Sequence, residues 1–299
     1  MTIQKLGIFS AGMAVGMTIL GSSFSSAQAA VFFGEDLQHF AKGQVTDAPD
    51  LGTLQNSATA EQAFLAALED AHASLNFEQS EGFTQLGKTG DAFSYTMSLD
   101  KSDGGVFDMT ISDSNSGPNY LHTSIEDTKD DVKGGRYGIS EAGSTAQERK
   151  DNQFLNTNAG KDSNLTFTFS EATSAFGFYG TDFERGGVMG VEFTRLDGST
   201  EYVSLGLSDP DDFDKTIRGT AFYFGYTAET KAEQFTQVRF DVSDSTKGTN
   251  DMVAFDRMTF ASGSLNAETQ EVPEPAAGLL ALGTFAVGAA LKKRQQRLG

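Results

Sequence analysis

The 299-residue chain has no cysteine, no tryptophan, five prolines and three histidines. Without cysteine there can be no disulfide framework, no thiolate metal site and no cysteine nucleophile. His39, His72 and His122 show no HExxH spacing. There is no Gly-x-Ser-x-Gly elbow and no Gly-x-x-x-x-Gly-Lys-Ser/Thr loop, so no local enzyme signature exists. Paired carboxylates for glycoside hydrolysis meet only in space, so the sequence leaves that alternative open. The lack of tryptophan removes the usual sugar-stacking ring and leaves Tyr120, Tyr137, Tyr179, Tyr202, Tyr223 and Tyr226 as the candidates. Basic residues are also scarce, 22 against 41 acidic, for a net charge of −19. Such a surface repels phosphate backbones and excludes nucleic acid as a partner.

Phenylalanine (25) and glycine (33) are abundant, which favours pleated strands joined by tight turns. Segments 93–99, 107–111, 165–169, 176–178, 191–196, 200–205, 221–226, 235–242 and 253–260 alternate apolar with polar residues or run aromatic. Asp103-Gly104-Gly105, Arg185-Gly186-Gly187 and Asp197-Gly198 read as turns, the last as a hairpin. The expected fold is all-β, an antiparallel sandwich or jelly roll with one inner face built mostly of phenylalanine. One amphipathic helix is expected over about 59–75, with Thr59 and Gln62 as a capping box and Phe64, Leu65, Leu68, Ala71 and Leu75 on its apolar face. Residues 113–162 are polar and glycine-rich and read as a long loop insertion, with short strands around 120–125 and 135–139.

The two ends read as addresses. Residues 1–30 have a lysine start, an apolar run over 6–20 and the small-x-small site Ala27-Gln28-Ala29, the pattern of a cleaved export signal. At the other end, Pro273-Glu274-Pro275 precedes an uncharged apolar stretch over 276–291 and the basic cluster Lys292, Lys293, Arg294 and Arg297. As a helix that stretch measures roughly 24 Å, just short of a bilayer core, and its basic end would stay cytoplasmic. This divides the chain into a signal (1–30), a β-sandwich domain (31–270) and a tail (271–299). Removing both ends leaves the domain more acidic than the whole chain.

The tail resembles the PEP-CTERM sorting signal of Gram-negative and cyanobacterial exported proteins, with Pro273, Glu274 and Pro275 matching its motif. Segments 33–36, 135–137, 152–157 and 174–182 also look like stretches found in such proteins. The resemblance implies recognition by an exosortase, an integral-membrane cysteine protease, with transient residence in the inner membrane and then delivery to the cell surface or outside. It implies no activity. The expected role is a non-enzymatic surface or matrix protein in contact with extracellular polysaccharide, the alternative being a calcium-stabilised carbohydrate-binding module. For calcium the candidate ligands are Glu78 and Asp256, acids embedded in apolar strand text, where an oxygen-ligated cation would relieve the cost of burial. Asp209-Pro210-Asp211-Asp212-Phe213-Asp214 reads as a solvated acidic turn.

Overall fold

The structure, a computed structural model, describes residues 29–37, 48–68, 72–77, 93–113, 123–128, 136–158, 165–182, 187–205, 220–244 and 252–263. They form two antiparallel sheets packed face to face. The strands are β1 (Ala30–Leu37), β2 (His72–Leu75), β3 (Phe93–Asp100), β4 (Val106–Asp113), β5 (Ser124–Asp127), β6 (Gln153–Asn158) and β7 (Thr166–Thr173). They continue as β8 (Ala175–Thr181), β9 (Gly187–Arg195), β10 (Thr200–Leu205), β11 (Thr220–Thr227), β12 (Phe235–Asp244) and β13 (Met252–Ala261). Sheet A has the order β1-β11-β8-β13-β6-β5, with β2 also on β13; sheet B has the order β10-β9-β12-β7-β4-β3. An all-β sandwich is therefore what the alternating text encodes.

The core between the sheets is a lattice of rings. Phe176, Phe178, Phe222, Phe224, Phe255 and Phe260 of sheet A meet Phe107, Phe167, Phe169, Phe193, Phe235 and Phe240 of sheet B, all buried. Phe178 and Phe240 lie 4.8 Å apart edge to face, and Phe193 and Tyr226 stack at 4.1 Å. The Asp197-Gly198 hairpin forms as expected. Gly198 takes φ +82°, Arg195 N–H donates to the Ser199 carbonyl at 2.8 Å, and Thr194 pairs with Thr200.

Sheet A is covered on its outer face too, so β8 and β11 are buried on both sides. The cover is α1 (Gln55–Ala67) together with residues 136–145. Helix α1 starts four residues before the expected Thr59 and stops before Leu75, which lies in β2 instead. Thr59 is no cap: its hydroxyl donates back to the Gln55 carbonyl at 2.7 Å. The cap comes from β1, where the Asp36 carboxylate accepts from Asn56 N–H (3.1 Å) and Ser57 N–H (2.8 Å). The helix buries Ser57, Ala60, Glu61 and Phe64 and leaves Leu65 38% exposed. Phe64 sits over Gly177 and Gly225: a Cβ on Gly225 would stand 2.6 Å from its ring.

The stretch read as a loop insertion is also part of the fold. It supplies β5, β6 and the short helix α2 (Ala146–Asp151), whose capping box joins Thr145 and Glu148. Its residues 136–139 form no strand but lie on sheet A, with Tyr137 and Ile139 buried beside Phe64 and Tyr223.

Candidate functional site

Asp256 is the one proposed calcium ligand among the described residues; Glu78 lies outside them. Asp256 is 1% exposed. It sits at a bulge, where β13 gains one residue against β8 between Asp256 and Thr259 and Arg257 takes φ +48°. That extra residue resolves the alternation of β13, because Phe255 and Phe260 both enter the core. One carboxylate oxygen of Asp256 accepts from Ile139 N–H and the other from Arg257 N–H, each at 2.7 Å. Backbone amides thus offset the burial cost for which a cation was invoked. No group of three or more His, Asp or Glu residues converges as for a metal ion among the described residues.

Arg257 points from the bulge toward α1. Its guanidinium pairs with Glu61 (3.4 Å) and with the exposed Glu141, while the Tyr179 hydroxyl donates to Glu61 at 3.0 Å. Burial works against the Arg257 charge, but the Glu61 and Glu141 carboxylates more than offset it and hold its pKa above the ordinary value. Burial, reinforced by Glu61, pushes the Tyr179 phenol far up. Tyr223 is raised chiefly by burial, with Glu61 adding to it. Both phenols therefore stay neutral. Glu61 and Glu141 share one guanidinium rather than facing each other across a cleft. A cavity of about 340 Å³ lies at the other end of α1, and among its described walls only Glu229 carries a titratable side chain. This cluster clamps α1 and residues 136–145 onto sheet A; it does not make an acid–base pair.

The outer face of sheet B is different. No described helix packs on it, and its outward side chains are mostly polar, with Val106 exposed at one end of β4. The register sets Thr96, Thr110, Thr168, Gln237, Thr194 and Thr200 side by side across six strands. A second row holds Ser94, Ser112, Thr166, Arg239, Glu192 and Tyr202. Within the rows Thr96 and Thr110 share a hydrogen bond at 2.8 Å, Gln237 donates to Thr168 at 3.3 Å, and Arg239 pairs with Glu192 at 3.1 Å. Tyr202 is 46% exposed, and its ring lies over Gly190, where a Cβ would stand 2.1 Å from the phenol. Partial burial and the Asp241 carboxylate, which accepts the Tyr202 hydroxyl, raise that phenol above its ordinary value.

Of the other candidate stacking rings, Tyr137, Tyr179, Tyr223 and Tyr226 are buried and Tyr120 lies outside the described residues. No local feature of the strands signals that the rows assemble. Ser94-x-Thr96-x-Ser98 and Thr166-x-Thr168-x-Ser170 were visible as text, but only the strand order aligns them.

Ala29 is half-buried just before β1, and Ala27 lies outside the described residues. So do Pro273, Glu274, Pro275, Lys292, Lys293 and Arg294. No helix among the described residues is long and apolar enough to cross a membrane.

No family model, curated protein or solved structure matches the chain.

Proposed function

We propose that this is a non-enzymatic exported protein of the cell surface or extracellular matrix. In this reading an exosortase-type membrane protease processes its tail, and the outer face of sheet B contacts extracellular polysaccharide. The observation that carries the contact is the pair of hydroxyl-bearing rows on which no described helix packs, the second of them ending at the Tyr202 ring. Hydroxyls and amides at strand spacing, about 4.8 Å apart, can exchange hydrogen bonds with sugar hydroxyls, and an exposed ring beside a glycine offers a flat stacking surface. The same face carries Asp108, Glu192 and Asp241 against Arg239, on a chain of net charge −19. A neutral glycan fits this charge; a uronic-acid polymer would be repelled.

Co-sedimentation with a neutral polysaccharide and with an anionic one tests the contact. Retention by the neutral polymer, weakened about threefold or more in Tyr202→Ala, is expected. Equal retention of wild type and variant would remove this face from the account. Sorting is tested separately by replacing Pro273, Glu274 and Pro275 with alanine. The tail should then persist on a membrane-held chain, and unchanged processing would sink the sorting assignment.

A further inference from the structure

We propose that removal of the leader creates a docked amino terminus, in which the ammonium of Ala30 pairs with the Glu233 carboxylate and fastens β1 to the edge of sheet A. The inference rests on the export reading and adds a binding site for the new chain end.

Small residues at Ala27 and Ala29 place the scissile bond between Ala29 and Ala30, one residue before the domain boundary drawn above at 30/31. Hydrolysis by a leader-removing membrane protease consumes one water. It leaves a carboxylate on Ala29 and an amino group on Ala30, protonated at neutral pH. In the structure the Ala29 N–H already donates to Glu233 Oε1 at 3.2 Å. The other oxygen of Glu233 is fixed by two backbone donors, Glu229 N–H at 2.9 Å and Thr230 N–H at 3.0 Å. The second of these belongs to the capping box of the 3₁₀ turn Lys231–Glu233. Glu233 is thus anchored by one oxygen and presents the other to the start of β1. After cleavage a full positive charge replaces a neutral amide one peptide step away, about 3.8 Å along the chain. Space exists for it, since Ala30 and Glu229 both line the cavity beside α1.

The charged groups around this point are Glu233, Glu229 and Lys231 on the turn, with Arg195, Glu201 and Tyr226 behind it; Glu233 acts on Arg195 and Tyr226 through its charge. Ala30 pairs with Thr227, so β1 closes onto a strand 190 residues later in the chain. Cleavage therefore precedes that closure, because a protease needs the scissile segment unpaired.

The test compares two forms of the full chain in detergent solution. One starts at Ala30; the other carries a Gly-Ser extension that moves the ammonium away. Each is made with Glu233 and with Glu233→Gln, which keeps an acceptor for the turn. At pH 7 the Ala30 form should melt about 2 °C or more above the extended form, and the difference should vanish in Glu233→Gln. Pairing raises the amine's pKa in the folded state. Its contribution is therefore full below the unfolded value, about 8, and lost as pH rises through the folded one. The difference should accordingly disappear by about pH 10. A difference that survives Glu233→Gln, or none at pH 7, overturns the docking. Because both forms are made with defined starts, that result is independent of export. The mass of the naturally exported chain tests the export reading, and a start other than Ala30 overturns the assigned bond.

Discussion

Arg257 occupies a left-handed backbone position and at the same time supplies the cation facing buried Glu61. The two roles can be separated by substitution. Arg257→Ala removes the cation and keeps the strained backbone, while Arg257→Gly removes both. Losing the pair should cost about 2 kcal/mol or more, because Glu61 keeps only the Tyr179 hydroxyl and a partly exposed pair is worth less than a fully buried one. The glycine variant should nonetheless be more stable than the alanine variant by about 1 kcal/mol, measured by urea unfolding. Equal stability would mean that the bulge relaxes once its arginine is gone. Asp197 gives a pH-dependent counterpart on the surface. Its carboxyl is held below the usual carboxylate range by the Ser199 hydroxyl and backbone amide. The contribution to the hairpin is therefore complete at neutral pH and above the unfolded value, about 3.9. It is lost as pH falls through the depressed folded one. The protection of the Ser199 amide relative to its intrinsic exchange rate should fall in acid, and Asp197→Asn should remove that dependence.

Helix α1 owes its place to partners far away in sequence. Asp36 of β1 caps it, and Gly177 and Gly225 open the seat for Phe64. Phe64→Ala should cost about 3–5 kcal/mol and Asp36→Ala about 1 kcal/mol. Gly225→Ala should cost about 1–3 kcal/mol by overpacking, and much less in the Phe64→Ala background, where the ring is absent. Thermal melts of the four variants would show this non-additivity. The same dependence explains how much of each element was legible. Strands β3, β4 and β7 to β13 were readable because alternation and aromatic runs are local properties, and so was the Asp197-Gly198 turn, whereas β1, β2 and β6 were not expected as strands. The helix start was not, because its cap sits on another strand and Thr59 offered a local decoy. Leu75 fits a helical spacing as well as a strand, and pairing with β13 decided between them. Residues 136–139 read as a short strand within a loop insertion, but they are held by side-chain contacts from Thr128, ten residues from Gly138, and from Thr181 and Asp256, 44 and 117 residues away, rather than by a strand partner.

At the scale of the molecule the two sheets have different outer faces among the described residues, one covered by α1 and residues 136–145, the other a field of hydroxyls on which no described helix packs. That asymmetry was partly legible, because β8 and β11 of sheet A run aromatic as doubly buried strands do while β4 and β7 of sheet B alternate, but the strand text does not say what covers the second face. It supports the proposal that sheet A is structural and that sheet B meets a partner. The proposed path, export followed by tail removal, places that open face outside the cytoplasm. The most direct measurement is the intact mass of the chain recovered from fractionated cells and medium. The account predicts an extracytoplasmic species that begins at Ala30 and has lost its C-terminal apolar stretch. A full-length chain found only in the cytosolic fraction would contradict it.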